Sequence, residues 1–569
     1  MTEPSDMDPA QFGDEDDSWR DELPVAQPPR EIVAGKGPLR TVSPDGRVDV
    51  LLTANVHETS AAMGRALVVD GDLFQRSGSL VHVVRATEDE PARAGAETRV
   101  ASATVPDSPV IREVPLSMLI DRVSARSRCL QKTRKGEWAH VSPPSQQVRS
   151  VLERGSWDGI RKLVGVIEAP AMRPDGTILQ RPGFDAATGY LYEPNADFFP
   201  VAEAPSHSDA VLAYAHLAEL FADFPYVDES HRSAVVAGLL TLLARPAIRG
   251  SVPCWLFDAS AARSGKSLQV DVLSIVATGR AASRMTYPEN DEELEKVLSA
   301  YAMRGSTLVN FDNVARQFGG AALDKVITAV DQVDLRKLGS TELVTMQWRA
   351  VVFASGNNVR ARGDMLPRML SPRLETTHDN PEQRVDFKHA DLRAFARQNR
   401  VSLVRDALTI LRAYAAAGFP EQPNLARWGG FEPWSRLIPH ALVWAGAPDP
   451  MGARRGLADD DDADRLAERA LVLGWERLSK DTPNGLTVKG ALALLYPPHA
   501  GHDEPPDTSF DPLREAVEHL TNARPGIAPG SKQLGDALRR LKARPFDGRK
   551  LVADGSAGGS SRWRVSSVR

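Results

Sequence analysis

Ser264-Gly265-Lys266-Ser267 sets a glycine, a lysine and a hydroxyl side by side. A bound phosphate needs backbone N–H groups turned inward, a fixed positive charge, and a hydroxyl for a magnesium ion. The tetrapeptide follows an apolar run, Val252 to Phe257, and opens an apolar helical stretch, Ser267 to Thr278. Strand, loop and helix in that order are the context such a motif requires. The loop departs from the usual G-x-x-x-x-G-K-[ST]: Ser260 stands at the first glycine, and Asp258 to Ser264 contains none. Arg263 within it is either a phosphate contact or the mark of a weakened site.

Three more positions sit at or beyond the ends of later apolar runs. Asp312 closes Thr307 to Phe311. A carboxylate there can hold the magnesium of a nucleotide, or it can cap the helix that follows. Asn357 follows Val351 to Gly356 and can touch a terminal phosphate or the attacking water. Paired Asn after Gly is also ordinary loop composition. Arg368, after Gly363-Asp364-Met365-Leu366-Pro367, can reach the nucleotide of a neighbouring subunit and stabilise charge on the transferring phosphoryl. A surface ion pair is the commoner fate of an arginine.

These residues need a scaffold, and the pattern predicts one. Val252 to Phe257, Thr307 to Phe311 and Ala350 to Ala354 are short apolar runs separated by helical stretches, Ser267 to Thr278, Asp291 to Met303 and Ala321 to Val330. That alternation predicts a parallel sheet covered on both faces. His207 to Ala247 reads as two helices broken at Phe224-Pro225, the second buried. Ser402 to Gly418 and Trp434 to Trp444 continue as helices. Upstream, Val68 to Asp72 and Leu80 to Val84 read as a pair of strands, and Pro115 to Arg126 and Pro144 to Arg154 as helices. Arg173-Pro174-Asp175-Gly176 is a turn.

The 569 residues, 42% hydrophobic and 25% charged, fit a globular chain of several units. A net charge of -6 argues against a uniformly basic nucleic-acid coat while leaving room for a local basic surface. The two cysteines, Cys129 and Cys254, are far apart and form no zinc or disulfide framework. No signal peptide and no run long enough to span a membrane is read, so the expected location is cytoplasmic.

Taken in order, these stretches resemble the AAA+ class, specifically superfamily 3 helicases and poxvirus-type primase-helicases, as found in replication proteins of bacterial prophages and integrative elements. The likeness runs from about Val164 to Pro450. It rests on Glu168-Ala169-Pro170, Arg173-Pro174-Asp175-Gly176, Pro182-Gly183-Phe184-Asp185 with Thr188-Gly189, and Leu239 to Arg245. Further on it includes Gly265-Lys266-Ser267, Asp312-Asn313-Val314, Arg336-Lys337-Leu338-Gly339, Gly356-Asn357-Asn358, Pro381-Glu382-Gln383-Arg384, Trp434-Ser435 and Asp449-Pro450. The resemblance implies an α/β fold with a P-loop AAA+ core, an ATP hydrolase and DNA helicase or translocase, and the cofactors ATP and Mg²⁺. It implies Ser264, Gly265, Lys266 and Ser267 as the Walker A cradle, Ser267 and Asp312 as metal ligands, Asn357 as sensor and Arg368 as finger. Many AAA+ enzymes carry an acid after the Walker B aspartate to polarise water; Asn313 stands there. Relatives often carry a primase domain upstream, but Asp70 and Asp72 lack the further elements such a metal site needs and read as a turn.

The expected partners are single-stranded or forked DNA and copies of the same chain in a ring, a homo-hexamer. Arg336 and Lys337, before Gly339, are candidate DNA-gripping residues. From Arg524 onward basic residues dominate. A helix Lys532 to Lys542, then Leu551-Val552, a glycine-rich turn and Arg562-Trp563-Arg564-Val565 predict a winged-helix-like unit, with Arg539, Arg540, Arg562 and Arg564 toward DNA or merely solvated. The expected layout is a disordered acidic tail at 1–47, an N-terminal α+β domain at 48–203, the P-loop AAA+ domain at 204–400, a helical domain at 401–485 and the winged-helix-like domain at 486–569. Two rival functions are an ATP-controlled DNA-binding initiator with little hydrolysis and a primase-helicase.

Overall fold

The computed structural model describes residues 46–87, 105–259, 263–288, 290–314, 317–336, 343–357, 359, 361–362, 365–375, 387–497, 508–524, 526–557 and 560–567, with no side-chain description at 455–465, 508, 556, 557 and 560. The expected acidic tail therefore lies almost wholly outside the described residues. Two compact units emerge, Met1–Gly71 with Pro115–Gly159, and Asp72–Val114 with Ile160–Arg569. The expected edges at 203, 400 and 485 fall inside the second unit. Among the described residues no helix is long and apolar enough to cross a membrane.

In the first unit the strand Ser127–Lys132 lies between Val48–Leu51, parallel, and Trp138–Val141, antiparallel. The helices Val56–Ala66, Leu116–Arg126 and Ser145–Leu152 accompany it. The expected strand at Val68 to Asp72 does not form. Leu67–Val69 is a 3-10 turn closing the first helix, with Leu67 fully buried. The β-branched pair Val68-Val69 suggested a strand, but that buried leucine holds the segment in place. Asp70 is buried and ion-paired to Arg122 at 2.9 Å and Arg126 at 3.8 Å.

The second unit opens with the hairpin Phe74–Arg76 and Ser79–Arg85, joined by Ser77 and Gly78 at φ 48° and 79°. Two consecutive positive φ angles make the tight turn that matches strand twist. Pro109–Glu113 completes this sheet. The turn read at Arg173 to Gly176 joins Ala171–Met172 to Ile178–Leu179, with Gly176 at φ 84°.

The central sheet runs in the order Leu308–Val314, Val351–Gly356, Cys254–Ala259 and Met369–Leu370, every pair parallel, with Arg373–Leu374 also beside Cys254–Ala259. Every residue of Cys254–Ala259 and Val351–Gly356 is buried. That is why the runs Val252 to Phe257 and Ala350 to Ala354 read as continuously apolar instead of alternating. Met285 adds a one-residue parallel bridge to Phe311 on the outer edge. The helices Lys266–Thr278, Asp291–Arg304 and Ala321–Ile327 form where helical stretches were expected. The last stops short of Val330, which is exposed. His207–Leu220 and Glu229–Ala244 flank the break at Phe224-Pro225, and the second is buried along nearly its whole length. Arg400–Ala416 and Glu432–Trp444 complete the helical part.

The far end of helix Lys266–Thr278 is clamped. Gly279 turns the chain in the left-handed conformation and its N–H reaches the Ile275 carbonyl. The buried Arg400 guanidinium donates to the carbonyls of Val276 at 3.0 Å, Ala277 at 3.4 Å and Glu168 at 3.4 Å, and to Asn195 Oδ1 at 2.6 Å. An arginine suits this helix end because its forked donors satisfy several orphan carbonyls at once. Burial pulls its pKa down to about 10.

The C-terminal part has its own core around Trp475, Leu513, Val517, Leu538, Leu551 and Trp563. Its antiparallel sheet runs Leu486–Thr487, Ser560–Ser567, Arg549–Ala557, Pro545–Phe546, beside helices Val488–Leu495, Asp511–Thr521 and Ser531–Leu541. The acidic run Asp459 to Asp462 falls within the helix Arg455–Leu478.

Candidate nucleotide site

The site forms at the C-terminal edge of the parallel sheet, where open α/β sheets leave a crevice. Cys254–Ala259 delivers the chain into the loop, and Lys266–Thr278 starts directly after Gly265. Gly265 is left-handed at φ 98°, and a Cβ there would lie 2.7 Å from Phe224 Cε1. Backbone angle and ring both require glycine. Arg263 also has positive φ, 60°.

Lys266 reaches across the sheet edge. Its Nζ donates to Asn357 Oδ1 at 2.6 Å and to Ser264 Oγ at 3.2 Å. Burial lowers its pKa, against the opposing pull of Asp258 and Asp312. Ser267 Oγ donates to Asp312 Oδ1 at 2.6 Å, and Ser355 Oγ to the same oxygen at 2.7 Å. Burial alone would raise the Asp312 carboxyl, but these hydroxyls and Arg284 outweigh it and hold it below its ordinary value. A hydroxyl and an ionised carboxylate side by side are hard oxygen donors of the kind magnesium takes. The donor set fits that ion, and the inward-facing helix start beside Lys266 fits a phosphate. Six expected residues, Ser264, Gly265, Lys266, Ser267, Asp312 and Asn357, thus converge on one place.

Asn313 does not join them as an acid would. It is exposed, left-handed at φ 56°, and its N–H faces Ser355 Oγ at 3.4 Å. It occupies the register shift between Leu308–Val314 and Val351–Gly356, a conformation that asparagine tolerates better than most residues.

Arg368 lies elsewhere. Met369 is in register with Cys254, so Arg368 stands at the start of the strand Cys254–Ala259, at the end away from Lys266. Its guanidinium pairs with Asp324 at 2.6 Å. Arg336 is exposed on the antiparallel strand pair Val333–Arg336 and Leu343–Met346, opposite Leu343. Lys337 lies outside the described residues. In the C-terminal sheet Leu551 pairs with Val565, and the buried Leu551 and Trp563 mark the core face. Arg562, Arg564 and Lys550 therefore share the other face. Arg540 is exposed and donates to the Leu520 carbonyl, and Arg539 pairs with Asp536. Two other basic residues of this tail, Arg544 and Arg549, pair with Glu468 and Glu476 of the helix Arg455–Leu478.

Several site residues were given no role from the sequence. Arg373 pairs with Asp258 at 3.0 Å beside the loop. Arg284 faces Asp312, and Phe224 abuts Gly265. Each acts through a partner remote in sequence, and no local spacing announces such pairs. Among the described residues no group of three or more His, Cys, Asp or Glu stands ready to hold a metal.

No family model and no curated protein matches the chain. Among solved structures, the NrS-1 C-terminal region (305–718) is 12% identical with a TM-score of 0.32, covering 81% of this chain and 94% of that one. Two structures of JCV helicase are each 12% identical. One has a TM-score of 0.19 and covers 43% of this chain and 74% of that one. The other has 0.18 and covers 42% and 67%. All three overlays are too loose to bear on function.

Proposed function

We propose that this chain is an ATP hydrolase of the P-loop type that works on DNA as a helicase or translocase, with nucleotide held between subunits of a ring. The carrying observation is the convergence of Lys266, Ser267, Asp312 and Asn357 at the C-terminal edge of a parallel sheet, within 2.6 Å hydrogen bonds of one another in pairs. Lys266 and the backbone around Gly265 would hold the phosphates, and Asn357, displaced from Lys266, would orient the terminal phosphate or the water. Ser267 and Asp312 would hold a magnesium ion, which when bound neutralises charge on the phosphates. Arg368, beside the far end of the strand Cys254–Ala259 from the cradle, would serve the next subunit's nucleotide. The exposed Arg336 and the outer face with Lys550, Arg562 and Arg564 are the surfaces offered to DNA phosphates.

A second reading keeps the nucleotide and drops the turnover: an initiator in which ATP controls assembly on DNA. Asn313 favours it, because the position after Asp312 carries no carboxylate. Steady-state ATP hydrolysis with and without single-stranded DNA separates the two. DNA-stimulated turnover above a Lys266→Ala control supports the hydrolase. Binding without turnover above that control supports the initiator.

A further inference from the structure

Arg284 sits one residue before the edge bridge at Met285, half-exposed, between two carboxylates. Its Nε lies 3.4 Å from Asp312 Oδ2, and its terminal nitrogen donates to Asp271 Oδ2 at 3.2 Å. Asp271 is buried on the helix Lys266–Thr278, one turn beyond Ser267. Its Oδ2 also takes Nε of Arg393 at 2.8 Å and a terminal nitrogen of the same group at 2.7 Å. Arg393 belongs to the helix Leu392–Gln398. One chain of charges thus runs from Ser267 through Asp312, Arg284 and Asp271 to Arg393.

Asp312 has two oxygens with different neighbours. Oδ1 takes the Ser267 and Ser355 hydroxyls, and Oδ2 faces the guanidinium. A divalent cation held by Ser267 and Asp312 would sit beside that guanidinium and repel it. Arg284 need not be lost to solvent when this happens, since Asp271 already binds it. The two carboxylates and two arginines balance in charge, so the arrangement can pass from one pairing to the other at little electrostatic cost.

We propose that Arg284 is an internal competitor of the metal: it holds Asp312 when no divalent cation is present and yields to Asp271 when one enters. The competition sets the metal concentration at which the site loads and transmits loading to Arg393 and its helix. The proposal rests on the nucleotide-site reading above.

The test measures free Mn²⁺ by electron paramagnetic resonance, with the full chain and a non-hydrolysable ATP analogue. Arg284→Ala should tighten Mn²⁺ binding by up to about fivefold, a scale set by losing one half-exposed charge pair. A side chain that only supported the fold would, on removal, weaken binding or leave it unchanged. Arg393→Ala should tighten Mn²⁺ as well, because it leaves Asp271 to Arg284 alone. Asp271→Asn should weaken it, because Arg284 then has only Asp312. Mn²⁺ uptake with unchanged or weaker affinity in Arg284→Ala overturns the competitor and leaves the nucleotide site standing. No uptake by the unaltered chain, with analogue binding indifferent to Lys266→Ala, overturns both.

Discussion

Arg368 and Lys266 stand at opposite ends of the strand Cys254–Ala259, one beside its first residue and the other beyond its last. Six extended residues span roughly 20 Å, far beyond the reach of an arginine side chain. If Arg368 acts on a nucleotide, that nucleotide belongs to another subunit. Arg368→Ala should keep ATP binding and lose hydrolysis by about a thousandfold, the scale of an arginine finger. Mixed with Lys266→Ala, it should regain activity, because some interfaces would pair an intact cradle with an intact finger. Normal hydrolysis by Arg368→Ala alone would refute the assignment. Asp324→Asn, which frees the guanidinium, should leave ATP binding unchanged in the same assay.

Lys266→Ala should act on binding itself. It removes the charge aimed at the phosphates and leaves Asn357 without its partner. Nucleotide affinity, followed with a fluorescent ATP analogue, should fall by about a hundredfold, the value of a charge-assisted hydrogen bond. Unchanged affinity would place the phosphates elsewhere.

Gly265→Ala tests the cradle through sterics. The left-handed backbone costs a residue with a Cβ about 1–2 kcal/mol, before the clash with Phe224 is counted. Analogue affinity should drop by about tenfold or more. In a Phe224→Ala background the further loss on adding Gly265→Ala should be smaller, because the ring is gone while the backbone penalty remains. Equal losses in both backgrounds would show that Phe224 does not set the loop.

The basic tail divides by position into two sets of arginines: Arg562 and Arg564 lie on the outer face, where Arg564 pairs with Asp554 at 2.6 Å, while Arg544 and Arg549 pair with the helix Arg455–Leu478. Arg562→Glu with Arg564→Glu should weaken DNA binding and flatten its salt dependence, by about one unit of log–log slope for each DNA phosphate that the tail no longer neutralises. Arg544→Ala and Arg549→Ala, which remove partners of Glu468 and Glu476, should leave DNA affinity unchanged, because each breaks only an exposed surface ion pair. Fluorescence anisotropy across a salt series checks both; the same slope in all of these variants would count against the division.

His231 makes the sheet sensitive to acid. It is buried, and its Nδ1 accepts the Arg373 N–H at 3.0 Å while also lying 3.1 Å from the Ser371 carbonyl. Burial lowers its pKa, opposed by Asp228 and Glu375 and reinforced by Arg373. The unfolded chain then takes a proton at a pH where the folded one does not. This contribution to stability is present above about pH 6.5 and is lost as pH falls below it. Thermal unfolding at pH 7.5 and 5.5 should show a larger acid loss for the unaltered chain than for His231→Gln. Parallel losses would acquit the histidine.

The positions of Lys266, Asp312 and Asn357 were legible because each ends or follows a short apolar run, and fully buried parallel strands read as such runs. The depth of the second helix, Glu229–Ala244, was legible for the same reason. Arg284, Arg393 and Phe224 were not, since their partners lie across the fold at separations no period encodes. Val68-Val69 misled because β-branched residues suit strands in isolation, while the packing of Leu67 decided the local conformation. At Asn313 the residue type was plain, but its left-handed backbone depends on the register shift between two strands.

The Arg400 clamp limits where the chain can be dissected. A cut between residues 203 and 204, where composition alone suggests an edge, would remove Glu168 and Asn195. Arg400 would keep its hold on the last turn of Lys266–Thr278 but would lose its acceptors on the other side. Each hydrogen bond to this charged group is worth about 1.5–3 kcal/mol, a large share of what holds a domain together. A fragment that begins at 204 should therefore be poorly folded, while one that begins ahead of Glu168 has the partners it needs. The smallest piece able to hold the helix Lys266–Thr278 rigid is defined by its far end, about 20 Å along the helix axis from Gly265.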